Sequence, residues 1–157
     1  MSSSWSLLPL EGCSGAVQSA TSVSVGRLFA AIAPRYDLMN HLMTGGLDLA
    51  WRRRACALLG PLPDGDAPVL DAGTGTADLA LTLARRRPRL RVAGLDSSAE
   101  MLALGRGKVA ARRLQERIGL LRGDALELPY PDATFAAVVS GFALRNMADP
   151  RRALRER

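Results

Sequence analysis

The stretch Val69-Leu70-Asp71-Ala72-Gly73-Thr74-Gly75-Thr76-Ala77-Asp78 limits what this chain can fold into more than any other. Its apolar start, Pro68 to Ala72, has the length of a short buried strand. Two glycines one residue apart then make a sharp turn whose backbone a ligand can approach closely, and a helix from about Ala77 to Arg86 offers free N–H groups beside it. The alternation continues with a strand at Arg91 to Leu95, a helix from Ser98 to about Arg113, and strands at Ile118 to Leu121 and Phe135 to Val139. Strand, glycine turn, helix, strand, helix, strand predicts an α/β fold, an open doubly wound parallel sheet. Its ligand belongs beyond the carboxyl ends of the strands.

Upstream the period is helical. Leu28, Phe29 and Ile32, the breaker Pro34, and Leu38, Met39, Leu42 and Met43 predict two short helices that end at Gly45-Gly46. A third helix is expected from Asp48 to Leu59, with Asp48 as its N-cap and Gly60-Pro61 as its stop. Residues 1–22 are rich in Ser and Gly with one charge, Glu11, and are expected to form a loose tail before a domain over residues 23–157. No Lys or Arg precedes Arg27, so the run Trp5 to Leu10 lacks the basic start of a secretory signal, and an organelle transit peptide is not expected either.

With 157 residues, 48% of them hydrophobic and 23% charged, the chain can bury one sizeable core. No uncharged run reaches the roughly 18 residues of a membrane span, so a soluble protein is expected. Cys13 and Cys56 stand far apart and His41 is the single histidine, which argues against a zinc site or a disulfide scaffold. The net charge of +6 comes almost wholly from arginine, with Lys108 the only lysine among 21 basic residues. These arginines are scattered and only 4% of residues are aromatic, so base stacking on nucleic acid has little support.

Chemistry concentrates where the strands end. Counting from Gly73, Asp78 stands where a dinucleotide fingerprint has its third glycine, and a carboxylate there sits badly against pyrophosphate. Asp71 and Asp78 suit a phosphate-free ligand with a positive centre, although Asp78 also reads as an early helix residue favoured by the helix dipole. Asp96 ends the second strand, where a carboxylate can accept both hydroxyls of a ribose. Asp124 follows the third strand, where it can accept from an exocyclic amine. Either alone is equally a helix N-cap or a loop residue; Asp71, Asp96 and Asp124 together outline a nucleoside pocket.

Val69 to Thr76, Gly94-Leu95-Asp96 and Gly123-Asp124-Ala125 with Leu128-Pro129 resemble a class I S-adenosylmethionine-dependent methyltransferase, whose sheet is Rossmann-like. Arg35-Tyr36-Asp37-Leu38-Met39-Asn40, Gly46, Asp48, Trp51-Arg52-Arg53 and Phe142-Ala143-Leu144-Arg145-Asn146 resemble the ubiquinone/menaquinone biosynthesis methyltransferases. The resemblance spans about Val25 to Arg157. It implies C-methylation of a prenylated benzoquinol or naphthoquinol with S-adenosyl-L-methionine as cofactor, no metal, and an N-terminal helical lid that includes Tyr36, Asp37 and Asn40. The cofactor positions it implies are Tyr36, Asp71, Gly73, Gly75, Thr76, Asp96, Ser97, Met101, Asp124, Ala125 and Gly141. Arg145 and Asn146 are the implied catalytic pair, holding the ring oxygens with Arg145 stabilising developing phenolate charge. Without the resemblance, Arg145-Asn146 reads as a surface ion pair and turn, Tyr36 and Met39 as helix packing, and Arg52 to Arg54 as a solvated face.

Three departures stand out, the largest at the end of the chain. Ala77 occupies a turn position where the family more often has glycine, and Gly141 one where some members have serine. The family continues past the position of Arg157 through a Lys-Pro-Gly-Gly-type turn to further strands. The sheet is therefore expected to lack its C-terminal strands, to leave residues 135–139 on an unprotected edge, and to turn over weakly or not at all. The expected partner is a prenylated quinol, with no nucleic acid. Homodimerisation stays open, as does a peripheral membrane contact made by a cytoplasmic enzyme. Two other readings stay open: a non-catalytic methyltransferase-like module that binds through its edge, and methylation of RNA or another small molecule.

Overall fold

In a computed structural model, residues 42–62, 67–141 and 143 are described. Helix α1 spans Leu47–Leu58, strand β1 Val69–Ala72, helix α2 Asp78–Arg86, strand β2 Val92–Asp96, helix α3 Ala99–Ala111, strand β3 Ile118–Arg122 and strand β4 Ala137–Val139. The expected elements from Asp48 onward all form, with ends within two residues of those read from the sequence. The tail 1–22, the two expected N-terminal helices up to residue 41, and residues 142 and 144–157 lie outside the described residues.

The four strands form one sheet in the order β3-β2-β1-β4, every neighbouring pair parallel. Because successive side chains of a strand point to opposite faces, β1 divides its residues between two cores. Val69 joins Val92, Ile118, Val109 and the α2 residues Leu79, Ala80, Leu83 and Ala84 on one face. Leu70 and Ala72 join Ala93 and Leu95 on the other, beneath Leu121, Ala125, Leu128, Tyr130 and Phe135. Thus α2 and α3 share one face, and the connection from β3 to β4 covers part of the other. Tyr130 and Phe135 in that connection meet edge to face at 4.8 Å between ring centroids.

Helix ends follow local chemistry. Ser98 caps α3 by accepting the Met101 amide at 3.2 Å. The Arg117 guanidinium donates to the carbonyls of Ala84, Arg87 and Pro88, placing a cation at the C-terminal end of α2. Asp48 does not cap α1. Gly46, with φ of 81°, takes the N-cap position, while Asp48 sits in the first turn and is 2% exposed. A left-handed backbone at Gly46 turns the chain into the helix without a side-chain cap, and this frees the Asp48 carboxyl for Thr44 and Arg52.

As the sequence reading expects, β4 is an edge of the described sheet, and Val138 is 55% exposed on it. Strand order reverses between β1 and its two neighbours β2 and β4, so the switch point of the sheet lies at the carboxyl end of β1.

Gly94, in β2 beside the turn after β1, marks the tightest point in the sheet. A Cβ there would lie 2.6 Å from Leu120 Cδ2 and 2.8 Å from Thr74 Oγ1. Gly94→Ala is expected to destabilise the chain by about 1–3 kcal/mol through overpacking, read as a lowered denaturant midpoint; an unchanged midpoint would refute this account of the packing.

Candidate functional site at the carboxyl edge of the sheet

Register brings the strand ends together: Asp71 pairs with Gly94, Ala72 with Leu95, and Asp96 with Arg122. The turn after β1 is then tied to the end of β2. The amides of Gly73 and Thr74 both donate to the Leu95 carbonyl, at 2.8 and 2.9 Å, and the Ala77 amide donates back to Thr74 at 2.9 Å. Gly73 and Gly75 take φ of 73° and 55°. Ala77 takes φ of 66°, so alanine occupies a left-handed position that glycine adopts freely, at a strain of about 1–2 kcal/mol.

Asp96 anchors this arrangement. Its Oδ2 accepts the Gly75 amide at 2.8 Å and its Oδ1 accepts the Ser98 amide at 2.9 Å. Burial raises its pKa above the ordinary carboxylate range, opposed by the amides of Ser98, Gly75 and Ser97. A carboxylate offers about four acceptor sites, so three amides leave capacity for one further donor. Ser97 follows directly and is exposed, with its carbonyl accepting from Arg122. Met101 is buried, its Cε 3.3 Å from where a Cβ of Gly75 would stand.

Asp71 is sealed in, 1% exposed, with its Oδ2 receiving the Thr74 hydroxyl at 2.8 Å. Its Oδ1 is buried and makes no hydrogen bond. Burial pushes its pKa up to about 7, against the Thr74 hydroxyl, the Ala80 amide and the Arg52 charge. Asp71 therefore buttresses the turn from beneath.

Asp124 lies one residue beyond Gly123, whose amide donates to the Asp96 carbonyl at 3.0 Å. Its Oδ1 accepts the Leu126 amide at 2.9 Å, which closes a turn that places Ala125 against the second core. Gly141 lies past the end of β4, where a Cβ would touch Leu79 Cδ2 at 3.3 Å. Asp71, Gly73, Gly75, Thr76, Asp96, Ser97, Met101, Asp124, Ala125 and Gly141 thus all belong to elements that end at this edge. Tyr36, Arg145 and Asn146 lie outside the described residues.

Two basic residues at this edge do what their places in the sequence do not predict. Lys108 of α3 donates to Thr76 Oγ1 at 2.9 Å and to Asp78 Oδ1 at 2.6 Å. Arg52 of α1 is no part of a solvated face, unlike the exposed Arg53 and Arg54: it pairs with Asp78 Oδ2 and with Asp48, both at 3.1 Å. The negative charge expected at the turn is therefore largely offset, at Asp78 by two cations and at Asp71 by its raised pKa. Among the described residues no group of three or more His, Cys, Asp or Glu could hold a metal, and no helix is long and apolar enough to cross a membrane.

The sequence profile of the ubiE/COQ5 methyltransferase family matches residues 17–157. Demethylmenaquinone methyltransferase of Thermus thermophilus is 49% identical over 129 residues, covering 82% of this chain and 57% of the relative. The enzyme of the same name from Deinococcus radiodurans is 45% identical, covering 85% and 54%. The ubiquinone/menaquinone biosynthesis C-methyltransferase UbiE of Geotalea daltonii is 37% identical, covering 84% and 56%. This chain spans about half the length of the curated relatives it matches. Among solved structures, the [4+2]-cyclase SpnF superposes with a TM-score of 0.70 at 26% identity, covering 90% of this chain and 57% of that one. A putative S-adenosyl-L-methionine-dependent methyltransferase from Methanococcus maripaludis, at 19% identity and a TM-score of 0.63, shares the fold over 90% of this chain and 60% of its own.

The Asp71 environment fixes a pH dependence. A carboxyl with a folded pKa near 7 and an unfolded one near 3.8 binds more protons folded than unfolded between those values. Its contribution to stability is then full below the lower value and falls as pH rises toward 7, by at most about 1.4 kcal/mol per pH unit. Asp71→Asn, neutral at every pH, should flatten that decline in denaturant melts between pH 5 and 8; an unchanged slope would show that Asp71 is ionised throughout.

Proposed function

The chain belongs to the ubiE/COQ5 methyltransferase family, and from that premise we propose that its carboxyl-edge site binds S-adenosyl-L-methionine for C-methylation of a prenylated quinol. The Asp96 carboxylate carries this reading: backbone amides orient both of its oxygens beside the turn, and it keeps acceptor capacity for a ligand hydroxyl. The rest of the edge fits the same ligand. Gly73 and Gly75 leave the turn backbone bare for the methionine part, and Asp124, with one oxygen on the Leu126 amide, has the other for the adenine amine. Because the charge of the turn is mostly balanced, recognition rests on shape and these acceptors more than on a net field.

When bound, the cofactor supplies a methyl group on a sulfonium sulfur, which leaves as a neutral thioether. What the protein contributes is alignment and electrostatics. Tyr36 belongs to the lid over the cofactor; Arg145 and Asn146 hold the ring oxygens, and Arg145 stabilises the phenolate that strengthens the attacking ring carbon. Held at Asp96 and Asp124, the cofactor would supply its methyl group to that ring carbon, whose hydrogen would leave as a proton. The names of the relatives favour a demethylmenaquinol-type naphthoquinol as the first substrate to test. A cytoplasmic enzyme that visits the membrane surface suits such a lipophilic ring. Helix α1 presents exposed Leu47, Leu49 and Leu58 beside exposed Arg53 and Arg54 for that contact.

Calorimetric titration of S-adenosyl-L-methionine into the chain should give saturable binding that Asp96→Ala weakens at least about tenfold, the loss of hydrogen bonds to a charged acceptor. Equal affinity in wild type and variant would remove Asp96 from the site. Binding without transfer to demethylmenaquinol would favour the non-catalytic reading of this half-length chain. Vesicles with anionic headgroups should retain the chain at low salt and release it at moderate salt; salt-resistant retention would contradict an electrostatic contact.

A further inference from the structure

Helix α1 rests on α2 through few groups: Cys56 and Ala55 reach the core, and Arg87 donates to the Cys56 carbonyl at 3.3 Å. Only Asp48 and Cys56 are buried along it, while Leu47, Leu49, Trp51 and Leu58 are exposed. Its inner face also carries Arg52, and through it a continuous polar path. Thr44 Oγ1 donates to Asp48 Oδ1 at 3.2 Å, Arg52 bridges Asp48 and Asp78 at 3.1 Å each, and Lys108 bridges Asp78 and Thr76 at 2.6 and 2.9 Å. The path thus runs from α1 through the first turn of α2 to α3 and into the glycine turn. Side chains along it are largely screened from water, with Arg52 13%, Lys108 22% and Asp78 24% exposed. Such a network is worth more than an isolated surface pair.

Its inner end is built into the turn. Gly105 lets α3 approach so closely that a Cβ there would lie 3.3 Å from both the Thr76 carbonyl carbon and the Ala77 Cβ. Lys108, one helical turn on, is thereby placed over Thr76 and Asp78. A change in the turn that moves Thr76 or the start of α2 must move the Lys108 and Arg52 contacts with it, because Asp78 is shared by both cations.

We infer that Lys108, Asp78 and Arg52 are positioning residues that couple occupancy of the glycine turn to docking of α1. Ligand in the turn stabilises the network geometry, and the network holds α1; by linkage, a docked α1 favours the occupied turn to the same degree. This rests on the reading of the turn as a site for S-adenosyl-L-methionine.

Hydrogen–deuterium exchange on the whole chain, with and without saturating S-adenosyl-L-methionine, tests it. In wild type, ligand should slow exchange both in residues 73–77 and in residues 47–58. In Lys108→Met and Asp78→Asn, residues 73–77 should stay protected at saturation, while the added protection of residues 47–58 falls by about fivefold or more. Lys108→Arg, which keeps the charge beside Asp78, should retain it, and this separates coupling from general loss of stability. Equal α1 protection in wild type and Lys108→Met, or a protected turn with an indifferent α1 in wild type, overturns the coupling. If wild type binds no S-adenosyl-L-methionine in the titration, the proposed ligand fails instead. The coupling is then read in the free chain: Lys108→Met must speed exchange in both segments, and a change confined to α1 overturns it.

Discussion

The last two residues of β2 hold the turn that follows β1. The Leu95 carbonyl takes two amides of that turn and the Asp96 carboxylate takes a third, so three successive residues of glycine-rich backbone are pinned by one strand end. A loop with φ positive at Gly73, Gly75 and Ala77 has little preference of its own for this shape. Its conformation is imposed by register: had β2 slipped by one residue, Asp96 would face the other side of the sheet and the amides would lose their acceptor. The apolar residues that fix the register, Val69 and Val92 on one face and Leu70, Ala93 and Leu95 on the other, therefore act on the site from a distance.

Three of the acidic side chains at the edge do different physical work. Asp96 keeps spare acceptor capacity next to the turn. Asp71, two residues before Gly73 and under α2, is held near neutrality by burial and fastens Thr74. Asp78 is the common partner of two cations that come from helices on either side of it in sequence. One formal charge does not translate into one functional charge here; desolvation and pairing decide what each carboxyl can offer.

Much of this was legible in the chain itself. Short apolar runs broken by glycine and proline give the strand and helix order from Asp48 onward, and aspartates at or near three strand ends mark the edge where the candidate site lies. Some of the remainder could have been read. Residues at alternate positions of a strand share a face, so Asp71 belongs with Val69 on the helix-covered side and not in an open pocket. Asp48 does not cap for a local reason, since a left-handed glycine directly before the helix makes a side-chain cap unnecessary. The pairing of Arg52 with Asp78 and of Lys108 with Thr76 left no local trace. These partners lie far apart in sequence, and three consecutive arginines, Arg52 to Arg54, look alike until one of them is turned inward.

The position of β1 in the sheet also orders events in time. It is flanked by β2, close to it in sequence, and by β4, which arrives only after α3, β3 and a further connection have been made. As a ribosome extends the chain, β1, α2, β2, α3 and β3 can collapse through contacts of short range, while the β4 side of β1 waits uncovered for a strand closed by a much longer loop. Assembly of the turn and its Asp96 anchor thus precedes the docking of β4. Until β4 docks, the side of β1 next to the switch point is the part of the nascent protein that most needs shielding.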